Sequence, residues 1–166
     1  ETAALFENPK VELDHDWGLD HGTWTIVRHM YPDANIPVLQ LSIDYNQPAA
    51  YHYEIAKNLA TLRKKGVLII GSGNMVHNLR MVAWDRLNES YGFDWAIEMN
   101  TIFKENINSG DHKALIDYEK LNKAAKLAIP TPDHYYPLMY ALGLKTEKDN
   151  ISFFNDKPVA GSLTMT

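Results

Sequence analysis

Residues 36–74 constrain the fold of this chain more than any other stretch. Apolar residues at helical spacing predict a helix from Pro48 to about Lys65, which Gly66 ends as a C-cap. Val67–Ile70 is short, apolar on both faces and rich in β-branched residues, which is typical of a buried parallel strand. Because Ile36–Ile43 also predicts a strand, the order strand, helix, strand indicates a βαβ unit with a right-handed crossover.

Apolar periodicity and capping residues predict further helices. These are a helix from Thr23 that stops at Pro32, a helix over Trp95–Asn106 capped by Asp94, two short helices within 111–128, and a helix over His134–Leu142 closed by Gly143. The tail, residues 151–165, alternates weakly and predicts one or two strands. No repeat or linker interrupts the chain, so we expect residues 1–166 to form a single α/β domain.

Composition excludes several classes of protein. The chain has 166 residues, a net charge of −5 and no block rich in lysine or arginine, which argues against nucleic-acid binding. It contains no cysteine, which excludes disulfides, iron–sulfur clusters, cysteine-ligated zinc and a cysteine nucleophile, and which fits a cytoplasmic protein. The longest strongly apolar run, Val67–Ile70, is too short to cross a bilayer, so we expect no membrane span.

Among the seven histidines, position in the predicted fold distinguishes His77. It follows the buried strand and a turn rich in glycine, Gly71–Asn74, and open α/β sheets bind ligands beyond the carboxyl ends of their strands. Glycine lets backbone approach a ligand closely. The alternative is a turn that only reverses the chain, and position alone leaves both interpretations open. The turn lacks the third glycine of a dinucleotide fingerprint and the lysine of a P-loop.

Two other histidines lie at predicted helix starts. His21 follows Asp20, whose carboxylate either orients the imidazole or caps the helix, and His134 follows a proline-rich break. The other four fit surface, core or polar-loop positions without special chemistry: His15, His29, His52 and His112. Clustered aromatic residues are typical of a core, although near the histidines they would also suit the wall of a pocket. They are Trp17, Trp24, Tyr135, Tyr136 and Tyr140.

Five segments, taken in order, resemble the class III extradiol ring-cleavage dioxygenases, in particular the branch that is similar to 4,5-DOPA extradiol dioxygenases. The segments are Gly18–Trp24, Ile36–Asp44, Gly71–Arg80, Pro130–Tyr135 and Gly161–Met165. Each motif alone is modest, whereas the ordered set is specific and spans nearly the whole chain.

The resemblance implies an α/β sandwich around a mixed, largely parallel sheet and a non-haem Fe(II) site, with zinc in some preparations. It implies that His134 is a metal ligand, that His77 is the catalytic acid–base, and that His21 contacts a catechol hydroxyl. Asn78 and Tyr135 are predicted to bind substrate. A catechol, such as DOPA, and O₂ are the implied reactants, and the oligomeric state stays open.

The sequence also departs from the family pattern. Two further metal-ligand motifs, His-Gly-Ser-Pro and Ser-Ala-His-Trp, do not occur in it. We therefore expect the C-terminal portion of a catalytic domain, with the N-terminal part of the fold missing and with no activity of its own. Two alternatives to a dioxygenase remain at this point: a non-catalytic binding protein on the same fold, and a zinc-dependent hydrolase that uses His77 and His134.

Overall fold

The computed structural model describes all residues, 1–166. Seven α-helices and two short strands follow one another along the chain, connected by loops and single 3₁₀ turns. They are α1 (His21–Met30), α2 (Ala49–Ala56), α3 (Ala60–Arg63), α4 (Asp94–Ser109), α5 (His112–Ile116), α6 (Ala125–Ala128), α7 (Tyr136–Leu144), β1 (Pro158–Val159) and β2 (Leu163–Thr164). The fold is of the α/β class, with helices in the large majority.

Local capping explains where several helices begin and end. The Asp20 carboxylate accepts a hydrogen bond of 2.9 Å from the amide of Thr23 and thereby caps α1. Asp111 caps α5 in the same way. Gly110 ends α4 with a φ of +75°, a left-handed conformation that glycine adopts without steric cost. Asp94, predicted as a cap, is instead the first residue of α4 and makes no capping bond, because Phe93 occupies the N-cap position.

The core lies between α2, α4 and α7. Its larger cluster contains 17 buried residues, among them Met99, Phe103 and Met139, which are fully buried. Gly143, predicted to close the last helix, lies inside α7. A Cβ atom there would lie 2.4 Å from the carbonyl oxygen of Tyr53, so the glycine permits close packing of α7 on α2. The helix therefore continues past Gly143 because this position serves packing between helices and not termination.

The predicted parallel sheet is absent from the structure. Ile36–Ile43 and Val67–Ile70 run without regular secondary structure, and no backbone hydrogen bond joins the two segments. The only sheet consists of β1 and β2, two antiparallel strands of two residues each. The two predicted strands are therefore wrong for this structure, because a strand is completed only by hydrogen bonds to a neighbouring strand and these segments have no such neighbour.

The two unpaired segments expose apolar side chains. Leu39 is 74% exposed and Leu68 is 60% exposed, whereas Leu41 and Ile69 pack against the smaller core cluster. Apolar residues thus lie on both sides of each segment, with one side in contact with the protein. No helix of the structure is both long and apolar enough to cross a membrane.

Candidate functional site

The glycine-rich turn after residue 70 packs directly on the segment that carries His134. The amide of Asn74 donates a hydrogen bond of 2.7 Å to the carbonyl oxygen of His134. A Cβ atom on Gly73 would lie 2.3 Å from that same oxygen, and one on Gly71 would lie 2.6 Å from the carbonyl oxygen of Pro137. The two glycines are therefore required by the close approach of two backbones, whereas the sequence analysis expected approach to a ligand or a simple reversal of the chain.

This packing brings His77 and His134 together. Their rings stack with centroids 3.8 Å apart and an angle of 14° between the ring planes. His77 lies just beyond the glycine turn, and His134 ends the 3₁₀ turn that precedes α7. His77 is half-buried, and the His134 side chain is 43% exposed, so the pair lies at an accessible surface. Residues 57 positions apart in the chain thus form one imidazole pair.

The surroundings of the pair favour a neutral His77. Burial lowers the pKa of His77, the adjacent His134 ring adds to this effect, and the Asp133 carboxylate opposes it. The Nδ1 atom of His134 is buried and lies 2.6 Å from Oδ2 of Asp133. Burial would raise the pKa of Asp133, but contacts with Thr131 and His134 outweigh it and lower the pKa. A neutral imidazole beside a charged carboxylate is suited to accepting a proton.

His21 is connected to this region through the backbone. It is the exposed first residue of α1, and its neighbour Gly22 accepts a hydrogen bond of 2.9 Å from the hydroxyl of Ser72 in the glycine turn. The side chain of Asp20 is used by the helix cap and by Gln40, whose amide nitrogen donates to it. The carboxylate therefore serves the helix, which is the structural alternative that the sequence left open, while the role of His21 towards substrate stays a prediction.

The two other predicted substrate contacts have internal partners. The amide of Asn78 donates from Nδ2 to the carbonyl oxygen of Leu127, and its Oδ1 accepts from the backbone amide of Arg80. The Tyr135 hydroxyl donates to the carbonyl oxygen of Leu115, and its ring is 1% exposed in the core. Burial raises the pKa of Tyr135 far above its usual value. The polar groups of both side chains are used in internal hydrogen bonds in this structure, and their contacts with substrate stay predictions.

The remaining aromatic residues and histidines do not join the pair. Tyr136 and Tyr140 are buried in the core beside His52, whereas Trp17 is 74% and Trp24 is 44% exposed. They do not form one aromatic wall. His112 accepts or donates through Nδ1 at 2.9 Å from the Tyr53 hydroxyl, and His15 and His29 are exposed.

The side chains near the pair are too few, or turned the wrong way, to hold a metal ion by themselves. No group of three or more histidine, cysteine or carboxylate side chains is arranged to hold a metal. The region offers two imidazoles and the Asp133 carboxylate, which is turned onto His134. A zinc or facial non-haem iron site needs at least three protein ligands. The residues of this chain therefore do not make a complete metal site by themselves.

Sequence reasoning missed two contributors to this region. Asp133 has no role in the sequence analysis, although it precedes His134 directly and a carboxylate is a common second partner of a histidine ring. The segment Ala160–Thr164 was predicted only as a weak strand, yet it pairs with the backbone around His77. The first could have been found from the adjacency of the two residues, whereas no local signal marks the second.

The sequence family described as "Catalytic LigB subunit of aromatic ring-opening dioxygenase" matches residues 3–159. The chain belongs to this family. The 4,5-DOPA dioxygenase extradiol of Escherichia coli K12 is 41% identical over 159 residues, which are 93% of this chain and 58% of that protein. The protein with the same description from Beta vulgaris is 34% identical over 148 residues, 88% of this chain and 53% of that protein.

A solved structure shares the fold of this chain. The crystal structure of an uncharacterized protein from Escherichia coli K12 matches with a TM-score of 0.81 and 36% identity, over 98% of this chain and 68% of that one. The chain spans between 53% and 58% of the length of the two curated relatives described above.

Proposed function

We propose that the protein to which this chain belongs is a non-haem, metal-dependent extradiol dioxygenase that opens the ring of a catechol with O₂. The observation that carries the proposal is the stacked pair of His77 and His134 within a chain of this family. Relatives described as 4,5-DOPA dioxygenases support DOPA or a similar catechol as the substrate.

We further propose that the sandwich around a mixed, largely parallel sheet belongs to the whole protein.

His77 is the proposed acid–base. It is half-buried, its pKa is lowered mainly by burial, and its ring faces His134, so it is available as a neutral base near the reacting centre. It takes a proton from a catechol hydroxyl and returns it as the ring opens. His21, at the start of α1, is proposed to orient the substrate by a hydrogen bond to a hydroxyl.

His134 is the proposed metal ligand of this chain, and Asp133 beside it would hold its ring. Fe(II) is the proposed ion, because such iron sites leave coordination positions open for substrate and O₂. The 166 residues hold no group of three candidate ligands, so we propose that the other ligands come from residues outside them. We accordingly expect the 166 residues alone to show no ring cleavage.

The test is an oxygen-uptake assay on the whole protein. The protein is loaded with Fe(II) under anaerobic conditions, mixed with L-DOPA, and then exposed to air. Oxygen consumption together with a yellow ring-opened product is the expected result. No turnover with any of a panel of catechols, in protein that has bound its metal, would favour a non-catalytic binding protein or a zinc-dependent hydrolase instead.

Three alanine variants separate the proposed roles. His77→Ala should keep the metal content and lose most turnover, because it removes the acid–base and not a ligand. His134→Ala should lower the metal content, measured by elemental analysis after gel filtration. His29→Ala is the matched control, because His29 is exposed on α1, and it should change neither quantity. If His77→Ala also loses the metal, His77 is a ligand and its assignment as the acid–base is incorrect.

A further inference from the structure

The backbone around His77 is held from two sides. Its own amide donates a hydrogen bond of 2.8 Å to the carbonyl oxygen of Ala128, the last residue of α6. On the other side, the chain forms an antiparallel bridge between His77 and Leu163, and the amide of Thr164 donates to the carbonyl oxygen of Val76 at 3.2 Å. The C-terminal segment therefore runs directly beside the residue that carries the proposed acid–base.

Ser162 makes the most specific contact in this pairing. Its side chain is fully buried, and its hydroxyl donates a hydrogen bond of 2.7 Å to the carbonyl oxygen of Asn78. The amide of Asn78 donates in return to the carbonyl oxygen of Ser162 at 3.2 Å. Two reciprocal hydrogen bonds thus fix both backbone groups of Asn78, the residue that follows His77. A buried carbonyl that loses its donor is strongly disfavoured, so this contact resists displacement.

The position of Ser162 is itself determined by the turn before it. Ala160 and Gly161 both have positive φ angles, +49° and +83°, and a Cβ atom on Gly161 would lie 2.5 Å from Cε2 of Phe93. The amide of Phe93 donates to the carbonyl oxygen of Gly161 at 2.7 Å, and the amide of Gly161 donates to the carbonyl oxygen of Tyr91 at 2.8 Å. The start of α4 therefore holds this turn, and the turn holds Ser162.

We propose that Ser162 is a positioning residue that sets the stacking of His77 on His134 through its hydroxyl bond to the Asn78 carbonyl. It touches no reacting group itself, and the inference rests on the function proposed above for His77. Thr164 offers the matched comparison, because its hydroxyl is also buried in the same segment but has no hydrogen-bond partner. The Ser162 hydroxyl forms a hydrogen bond to the backbone beside His77, and the Thr164 hydroxyl does not.

The first test measures the imidazole protons of His77 and His134 by NMR in the chain itself. Stacked rings shift each other's protons upfield, and this shift should fall in Ser162→Ala and stay in Thr164→Val. Ser162→Thr and Ser162→Val are matched in shape and differ in the hydroxyl, so the first should keep the shift and the second should lose it. Unchanged shifts in both Ser162→Ala and Ser162→Val would overturn the proposal, whatever the activity.

A second measurement needs no variant and stays informative should the Ser162 variants not fold. In the unsubstituted chain, the amide protons of Asn78 and Thr164 should exchange with solvent much more slowly than those of Asn88 and Ser90 in the exposed loop that follows Arg86. Exchange as fast as in that loop would show that the segment does not hold His77, and would also overturn the proposal.

The third test is kinetic and uses the whole protein with catechol and O₂. Small misplacement of a catalytic group lowers turnover, so Ser162→Ala should reduce kcat about tenfold and leave KM within about twofold. Thr164→Val should leave both constants unchanged. Absence of ring cleavage in the unsubstituted protein would refute the proposed function and leave the NMR result standing, so the two failures are distinguishable. An unchanged kcat in Ser162→Ala would refute the positioning role.

Discussion

Substitution of Gly73 by alanine tests the contact that joins the glycine turn to His134. The added Cβ atom would lie 2.3 Å from the His134 carbonyl oxygen, and an ordinary contact begins at 3.4 Å, so the two backbones must separate by about 1.1 Å. The hydrogen bond from the Asn74 amide, now 2.7 Å, then lengthens to about 3.8 Å and is lost. Gly73 has no positive φ, so the contact alone accounts for the effect.

The expected loss of stability follows from two contributions. A hydrogen bond of this kind contributes about 1 kcal/mol net, and forcing extra volume into a packed contact costs about 1–3 kcal/mol. The free energy of unfolding should therefore fall by about 2–4 kcal/mol. For a domain of this size, that corresponds to a decrease in Tm of about 4–16 °C. Urea and thermal unfolding, followed by circular dichroism, measure both quantities.

Gly18→Ala is the matched control for this experiment. No atom lies within 4 Å of a Cβ placed on Gly18, and its φ is not positive, so alanine is accepted without strain. The free energy of unfolding of this control should rise by about 0.4–1 kcal/mol, because alanine restricts the conformations of the unfolded chain. If Gly73→Ala proves as stable as Gly18→Ala, the close approach of the turn to His134 is not as described, and the geometry of the histidine pair loses its basis.

Three further predictions concern the core, pH and the unpaired segments. Gly143→Ala should destabilise by about 1–3 kcal/mol in urea unfolding, because its Cβ would lie 2.4 Å from the Tyr53 carbonyl oxygen. Burial lowers the pKa of His52, so at mildly acidic pH the unfolded chain binds a proton that the folded chain excludes. The free energy of unfolding should therefore fall as pH drops below about 6.5. His52→Phe should reduce this dependence of the free energy of unfolding on pH. Leu68→Lys should reduce concentration-dependent self-association in analytical ultracentrifugation, whereas Leu87→Lys, in an exposed loop, should not.

Most helices could be located from the sequence because their signals are local. Pro32 and Pro48 act on adjacent residues near α1 and α2. The bounds were less certain, because the helix predicted from Pro48 to about Lys65 is divided by a 3₁₀ turn into α2 and α3. The parallel sheet could not be confirmed, because a strand depends on a neighbour that its own sequence does not specify. Ile36–Ile43 has the composition of a strand but lacks the neighbour in this structure.

The candidate site divides in the same way. His77 could be selected as a candidate from its place after a glycine turn. Only the family resemblance implied that it lies near His134, and the structure stacks the two rings. The contact of Ser162 with Asn78 joins residues that are far apart in the chain, and both residues are common in turns and caps. No periodicity or spacing marks such a pair, so a structure was needed to find it.

The pairing of Ser162 with Asn78 also sets an order of events during synthesis. The two residues are separated by 84 positions, so a ribosome that adds about 5–20 residues per second makes the serine about 4–17 s after the asparagine. Throughout that interval the backbone of Asn78 lacks its two hydrogen bonds to Ser162. The helices α4 to α7 are all made within it, so the segment next to His77 gains this support only after those helices have been synthesised.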